Sequence, residues 1–317
     1  PYTTLFRSVK VNRIEIASAR VSDGEFQAVK KITAWAAENG YIDQVEVLTF
    51  VDGDTSVNWM LESGAKVLNL LTKGSLNHLT HQLKKTPEQH FAEVGAVIAL
   101  AAANGIQCNV YLEDWSNGMR NSKEYVLQYL DFLQTQPVKR ILLPDTLGVL
   151  IPEEVFEYVS LLVKRYPEIH FDFHAHNDYD LGTANVLEAV KAGVQGLHLT
   201  VNGMGERAGN APLASTIAVL NDYVKDVTTS VVEKSLYTVS KLVETFSGFR
   251  ISVNKPIVGE NVFTQTAGIH ADGDKKNNLY YNDLMPERFG RQRKYALGKT
   301  SGKANIENNL HYATVGA

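Results

Sequence analysis

Short runs rich in β-branched and other apolar residues recur along the chain at 14–18, 45–50, 65–72, 106–113, 140–145, 170–176 and 196–202. Each is of strand length, and the stretches between them carry helical punctuation. Ser22 and Glu25 stand at capping-box spacing ahead of the run FQAVKKITAWAAENG, which closes on Gly40. Thr86 followed by Pro87 and Glu88 opens a second helix running to Gly105, with proline at the first helical position. Pro152 and Glu153 open a third. Strands alternating with helices predict parallel βαβ units whose sheet is covered on its outer face.

The pattern contains seven such strands. A parallel barrel closes with eight and keeps its chemistry at the carboxyl ends of the strands. Glu15, Glu113, Asp145, His174, His176 and Asn202 all fall in or just after these runs. The predicted fold is therefore α/β, a TIM (β/α)8 barrel lacking its first βα unit, with an open doubly wound sheet as the competing arrangement. The expected organisation is a barrel over 9–226 and a small helical subdomain or arm over 227–317. Within the latter, 230–248 reads as one amphipathic helix, and the rest is rich in Gly, Asn, Lys and Arg. The segments AGIHADGDKKNNLYYND and ERFGRQRKYALGKTSGK carry His270, Tyr280 and a dense basic set. That set suits a phosphorylated carrier or a solvated face, and the solvated face is the simpler reading.

Composition narrows the function classes. At 317 residues and 44% hydrophobic, the chain can bury one large core, or one core with an appendage. A net charge of −4 and a pI near 6.2 provide no general field for nucleic acid or anionic lipid, so an anionic substrate needs local groups. Cys108 is the only cysteine, which excludes a disulfide framework and points to a reducing cytoplasm. The longest purely apolar run, 96–103, is far shorter than the roughly 20 residues of a spanning helix.

The segment HFDFHAHNDYD ends a strand-like run with His174 and His176 two residues apart. Side chains at i and i+2 of a strand point the same way, so two neutral imidazoles can meet one divalent cation. A hydrogen-bonded histidine pair in a polar barrel mouth is the alternative. The glycine-rich turn VNGMGERAGN follows another apolar run and adds the amide oxygen of Asn210, with Glu206 and Arg207 as a candidate ion pair.

Together, HAHND, VNGMGERAGN, YLEDWSNG, LPDTLG, GENVFTQTAGIHADGDKKNNLY and ERFGRQRKYALGKTSGK resemble the metal-dependent acyl-CoA condensing enzymes built on a TIM barrel. These are the 2-isopropylmalate, homocitrate and citramalate synthases, and the resemblance runs from 11 to 310. Within the group it leans toward (R)-citramalate synthases, implying condensation of acetyl-CoA, pyruvate and water to citramalate and CoA in isoleucine biosynthesis. The alternative is 2-isopropylmalate synthesis from 2-ketoisovalerate, on the route to leucine. The resemblance implies His174, His176 and Asn210 as ligands of Zn2+, Mn2+ or Mg2+. It implies Glu113 as the base that enolises acetyl-CoA, with His270 and Tyr280 arriving from a partner subunit in an arm-exchanged homodimer. The substrate side-chain pocket would be lined by Leu48, Leu71, Tyr111 and Thr146, whose bulk favours the methyl of pyruvate over an isopropyl group.

The family's first strand carries D-x-T-L-R-D-G-E-Q, whose second Asp binds the metal and whose Arg polarises the keto group. Arg7 does not fit that place, because only about six residues separate it from the IEIASARVS strand where the family has a helix. Residues 1–8 are expected to be a non-native scar on a truncated gene fragment that is inactive by itself. HYATVGA departs from the family, and its C-terminal regulatory domain is expected to be missing. A related class, the metal-dependent lyases that cleave hydroxymethylglutaryl-CoA, lacks the GENVFTQTAGIHADGDKKNN arm in this form, which favours a synthase.

Overall fold

The computed structural model describes residues 4–315, which fall into two compact units, 11–212 and a second formed by 4–10 with 213–315. Pro1 to Thr3 of the expected scar, and Gly316 and Ala317, lie outside the described residues.

The first unit is a seven-stranded sheet, β1 Ile14–Ser18, β2 Val45–Phe50, β3 Val67–Lys73, β4 Gln107–Glu113, β5 Val138–Asp145, β6 Phe171–Ala175 and β7 Gly196–His198. The strands pair in sequence order and every pairing is parallel. Sequential parallel pairing with helical crossovers is the barrel topology expected from the sequence, one strand short of closure. The one clear misreading of a strand is the last. It stops at His198, because Val201–Gly203 makes a tight turn with Asn202 at φ 62°.

Side-chain parity along the strands divides the sheet into two faces. Outward positions such as Val47, Leu68, Leu70, Val110, Leu112, Ile141, Leu143, Phe171 and Phe173 are buried under the helices in one apolar core. Burying a side chain of this size contributes roughly 1.5–3 kcal/mol, so the outer face supplies most of the driving force. The helices begin and end as their sequences dictate. Ser22 accepts from the Glu25 amide at 3.1 Å ahead of Asp23–Asn39, and Gly40 closes that helix at φ 75°. Thr86 and Gln89 form a reciprocal capping box ahead of Pro87–Ala103.

The inward face is polar at its amino end. Asn69 donates to Glu15 at 2.6 Å and to Glu46 at 3.0 Å, and Asn109 donates to Asn69 at 2.8 Å. Arg140 bridges Glu46 and Asp172, and Arg13, just before β1, reaches Asp172 at 3.2 Å. Burial alone would raise the Asp172 carboxyl, but His170, Arg13 and Arg140 hold it below the usual range. Gly196 is required opposite it, since a Cβ there would stand 1.8 Å from Asp172 Oδ1.

The second unit is mainly helical, with Leu213–Tyr223, Leu236–Ser247, Gly268–Lys275 and Lys303–Val315 and a two-stranded parallel ladder of Thr264–Gln265 with Lys294–Tyr295. The helix expected over 230–248 starts only at Leu236, after a single 3₁₀ turn at Glu233–Ser235. Arg288 pairs with Glu233 and Asp222, both at 2.8 Å, beside the buried ring of Phe289. Residues 4–10 belong to this unit: Leu5–Val9 forms one wide helical turn, and the Val9 carbonyl accepts from Val232 at 2.9 Å.

Candidate active site at the carboxyl ends of the strands

Inward parity on β6 runs Asp172, His174, His176, so the polar network gives way to two imidazoles as the strand rises. The ring centroids of His174 and His176 are 5.1 Å apart with planes at 84°. The glycine-rich turn folds back on this strand end. His176 pairs as an antiparallel bridge with Asn210, while Ala211 donates to the Ala175 carbonyl at 2.9 Å and Asn177 to the Gly209 carbonyl at 2.9 Å. Gly209 makes that return possible: its φ is +85°, and a Cβ would lie 2.0 Å from the Gly203 carbonyl oxygen. The Asn210 side chain is oriented by its own amide, which donates to the Met204 carbonyl at 3.0 Å.

Asn210 Oδ1 and His176 Nδ1 are both buried without a hydrogen-bond partner. Buried acceptor-capable atoms left without a partner cost free energy unless something binds them. Burial pushes His174 well below the ordinary histidine range, and burial followed by the charge of Arg207 lowers His176. Both rings are therefore neutral at pH 7, the form that coordinates metals. Among the described residues no group of three or more His, Cys, Asp or Glu is arranged to hold an ion, so the donor set here is two imidazoles and an amide oxygen. That set fits a divalent cation completed by substrate or further oxygen donors.

Arg207 makes the ion pair expected with Glu206, at 3.6 Å, and has a better-fitted partner besides. Its guanidinium donates in a two-point fork to Asp178 at 2.8 and 3.0 Å and to the Thr146 carbonyl at 2.7 Å. The side chain of Glu206 is 86% exposed. The fork matches a carboxylate held across the mouth better than one on the next residue, and it draws the Asp178 carboxyl down.

Tyr111 lies on β4 opposite Leu71 of β3, and Leu48 and Leu71 are half-buried on the inward parity of their strands. The Tyr111 hydroxyl is 3.3 Å from Glu15 and 3.2 Å from His198, and burial raises its ionisation well above normal. Glu113 is paired with the buried Lys73, its register partner on β3. Thr146 spends its hydroxyl locally, accepting from the Asp114 amide at 2.8 Å, where Asp114 adopts φ 64°. His270 and Tyr280 belong to the second unit, where their rings are in contact, with centroids 4.2 Å apart and planes tilted by 34°.

Two participants escaped the sequence reading. His198 sits 2.9 Å from His174, Nδ1 to Nδ1, and Lys73 holds Glu113. Lys73 had a signal, since it lies on the inward parity of β3 with Leu71, whereas His198 is placed only by the register of β7 with β6.

A family model described as HMGL-like matches residues 2–243, and one described as homocitrate synthase post-HMGL domain-like matches 257–315. A putative (R)-citramalate synthase of Methanopyrus kandleri is 34% identical over 95% of this chain, which spans 58% of that protein's length. A probable 2-isopropylmalate synthase of Ignicoccus hospitalis is 33% identical over 95% of this chain and 73% of its own. The crystal structure of hydroxymethylglutaryl-CoA lyase from Pseudomonas aeruginosa shares the fold, with a TM-score of 0.61 at 17% identity over 76% of this chain and 82% of that one. The chain thus belongs to the HMGL-like family, with a post-HMGL segment of the homocitrate synthase kind.

Proposed function

We propose that this chain is the catalytic portion of an acyl-CoA condensing enzyme that joins acetyl-CoA to a 2-keto acid, with pyruvate as the preferred acceptor and (R)-citramalate and CoA as products. The observation that supports this reading is the pairing of His176 with both His174, ring to ring, and Asn210, backbone to backbone, with Asn210 Oδ1 and His176 Nδ1 buried and unpartnered. These residues would hold a divalent cation, Zn2+, Mn2+ or Mg2+, which supplies Lewis acidity at the keto carbonyl.

Glu113 is the base. Removing a methyl proton from a thioester is difficult, and a carboxylate at the barrel mouth, oriented by Lys73, takes it. The resulting carbanion bonds to the keto carbon, and water then cleaves the thioester to give free carboxylate and CoA. His270 and Tyr280, with their rings in contact, would arrive from a partner subunit in a homodimer with exchanged arms. Leu48, Leu71, Tyr111 and Thr146 line the acceptor's side-chain pocket. Pyruvate is favoured over 2-ketoisovalerate because the rings and branches of Leu71 and Tyr111 take the volume an isopropyl group needs. The Methanopyrus and Ignicoccus relatives, named for citramalate and isopropylmalate synthesis, support the reaction class equally for both acceptors.

The test is thiol release from acetyl-CoA with each keto acid in turn. Pyruvate should give the highest kcat/KM, and Glu113→Gln should abolish release with either acid. Equal or better kcat/KM with 2-ketoisovalerate would assign the chain to isopropylmalate synthesis. No thiol release with any keto acid would favour the lyase chemistry.

A further inference from the structure

We propose that His198 is a positioning residue for His174: it fixes the proton of His174 on Nδ1, so that Nε2 presents a lone pair at the strand ends, and it connects that ring to Glu15. The inference rests on the ligand reading of His174 given above.

His174 Nδ1 faces two neighbours, the His198 carbonyl oxygen at 3.3 Å and His198 Nδ1 at 2.9 Å. A carbonyl only accepts, so the bond to it places the proton on His174 Nδ1. His198 Nδ1 then accepts from the same N–H and faces the Tyr111 hydroxyl at 3.2 Å, a second donor, so its own proton sits on Nε2. That atom faces Glu15 Oε1 at 4.0 Å. Glu15 is itself fixed by Asn69 at 2.6 Å. The groups therefore stand in the order Glu15, His198, His174, with a charge contact from Glu15 to His198 and a hydrogen bond between the two imidazoles.

A carboxylate behind a ligating imidazole is a general way to set tautomer and ring angle, and its loss typically weakens metal binding by about 10- to 100-fold. Here the carboxylate acts through a second imidazole. The register His174↔His198 makes this possible, since parallel neighbours on β6 and β7 carry inward side chains at the same height.

Zn2+ titration calorimetry on the chain, with histidine 15N spectra of the metal-free protein, tests the proposal. His174, identified by comparison with His174→Asn, should show a protonated Nδ1 and a bare Nε2. His198→Leu leaves the backbone carbonyl in place and removes the imidazole acceptor and its link toward Glu15, and it should weaken Zn2+ binding by about 10-fold or more. His198→Asn places an oxygen near the former Nδ1 and should restore most of the affinity. Binding unchanged in His198→Leu, or a wild-type spectrum with His174 protonated on Nε2, overturns the positioning role. If His198→Leu does not fold, the wild-type spectrum and His198→Asn still decide. Wild-type Zn2+ binding that survives His174→Ala and His176→Ala would instead remove the ligand reading itself.

Discussion

Arg140 is the group on which the polar lumen depends. Its two terminal nitrogens each take one carboxylate, Glu46 and Asp172, and the side chains of Arg140, Glu46 and Asp172 are only 9%, 5% and 2% exposed. Substituting methionine keeps much of the volume but leaves two buried carboxylates with Arg13, at 3.7 and 3.2 Å, as their one remaining guanidinium, beside Asn69 on Glu46 and His170 on Asp172. A close charge pair at an effective dielectric of about 20 is worth roughly 4 kcal/mol, and breaking a buried pair by removing one partner typically costs about 3–5 kcal/mol. Arg140→Met should therefore lose about 3–5 kcal/mol in urea unfolding followed by circular dichroism, and about 6–20 °C in Tm for a unit of this size.

The pH dependence has a definite sign. The folded Asp172 carboxyl lies below its unfolded value in the wild type, so that stabilisation is complete at neutral pH and is lost as pH falls through the acid range. With Arg140 gone, the carboxylates take up protons more readily on folding, so the deficit of the variant should shrink as pH is lowered from neutrality. Adding Glu46→Gln to Arg140→Met should also recover stability, because one of the two like charges is removed. A loss below about 1 kcal/mol, or a double variant less stable than the single one, would refute this reasoning and make Arg13 and solvent the effective partners.

Other consequences follow from the same coordinates. His90, buried with its pKa lowered from 6.5 to about 4, accepts from the Lys73 amide at 3.4 Å and contacts the Tyr125 hydroxyl at 3.0 Å, so it must stay neutral to fold. The unfolded chain binds the extra proton, so stability should fall as pH drops from about 6.5 toward about 4, a slope that His90→Gln should flatten in pH-dependent denaturation. Gly209→Ala forces a side chain into φ +85° against the Gly203 carbonyl and should both destabilise the chain and weaken Zn2+ binding in calorimetry. Gly53→Ala, at φ +74° with nothing within 4 Å, should cost only about 1 kcal/mol and leave that binding intact. Leu71→Ala or Tyr111→Ser should widen acceptance toward larger keto acids while weakening pyruvate, by about 1–3 kcal/mol of kcat/KM discrimination per methylene accommodated.

The strands and their order were legible because each apolar run is bounded by a capping residue or a glycine, as at Ser22, Gly40 and Thr86. His174, His176 and Asn210 were legible because short-range motifs carry them. What the chain did not disclose was partnership across strands. Arg207 looks toward Glu206 in sequence but finds a closer partner, Asp178, in space, because the turn folds back through Gly209. His198 stood in an apolar run whose strand ends early, and only the register of β6 with β7 places it beside His174. Glu46, Arg140 and Asp172 are unremarkable alone, and their meaning comes from the curvature that brings three strands to one point.

The central claim is that a divalent cation held by His174, His176 and Asn210 chelates a 2-keto acid, and calorimetric titration of pyruvate into the chain with Mn2+ or with EDTA tests it most directly. Saturation at one pyruvate per chain with Mn2+, absent with EDTA and absent in His176→Ala, is the expected result. Pyruvate binding that EDTA leaves unchanged, or that survives His176→Ala at full affinity, would contradict the account.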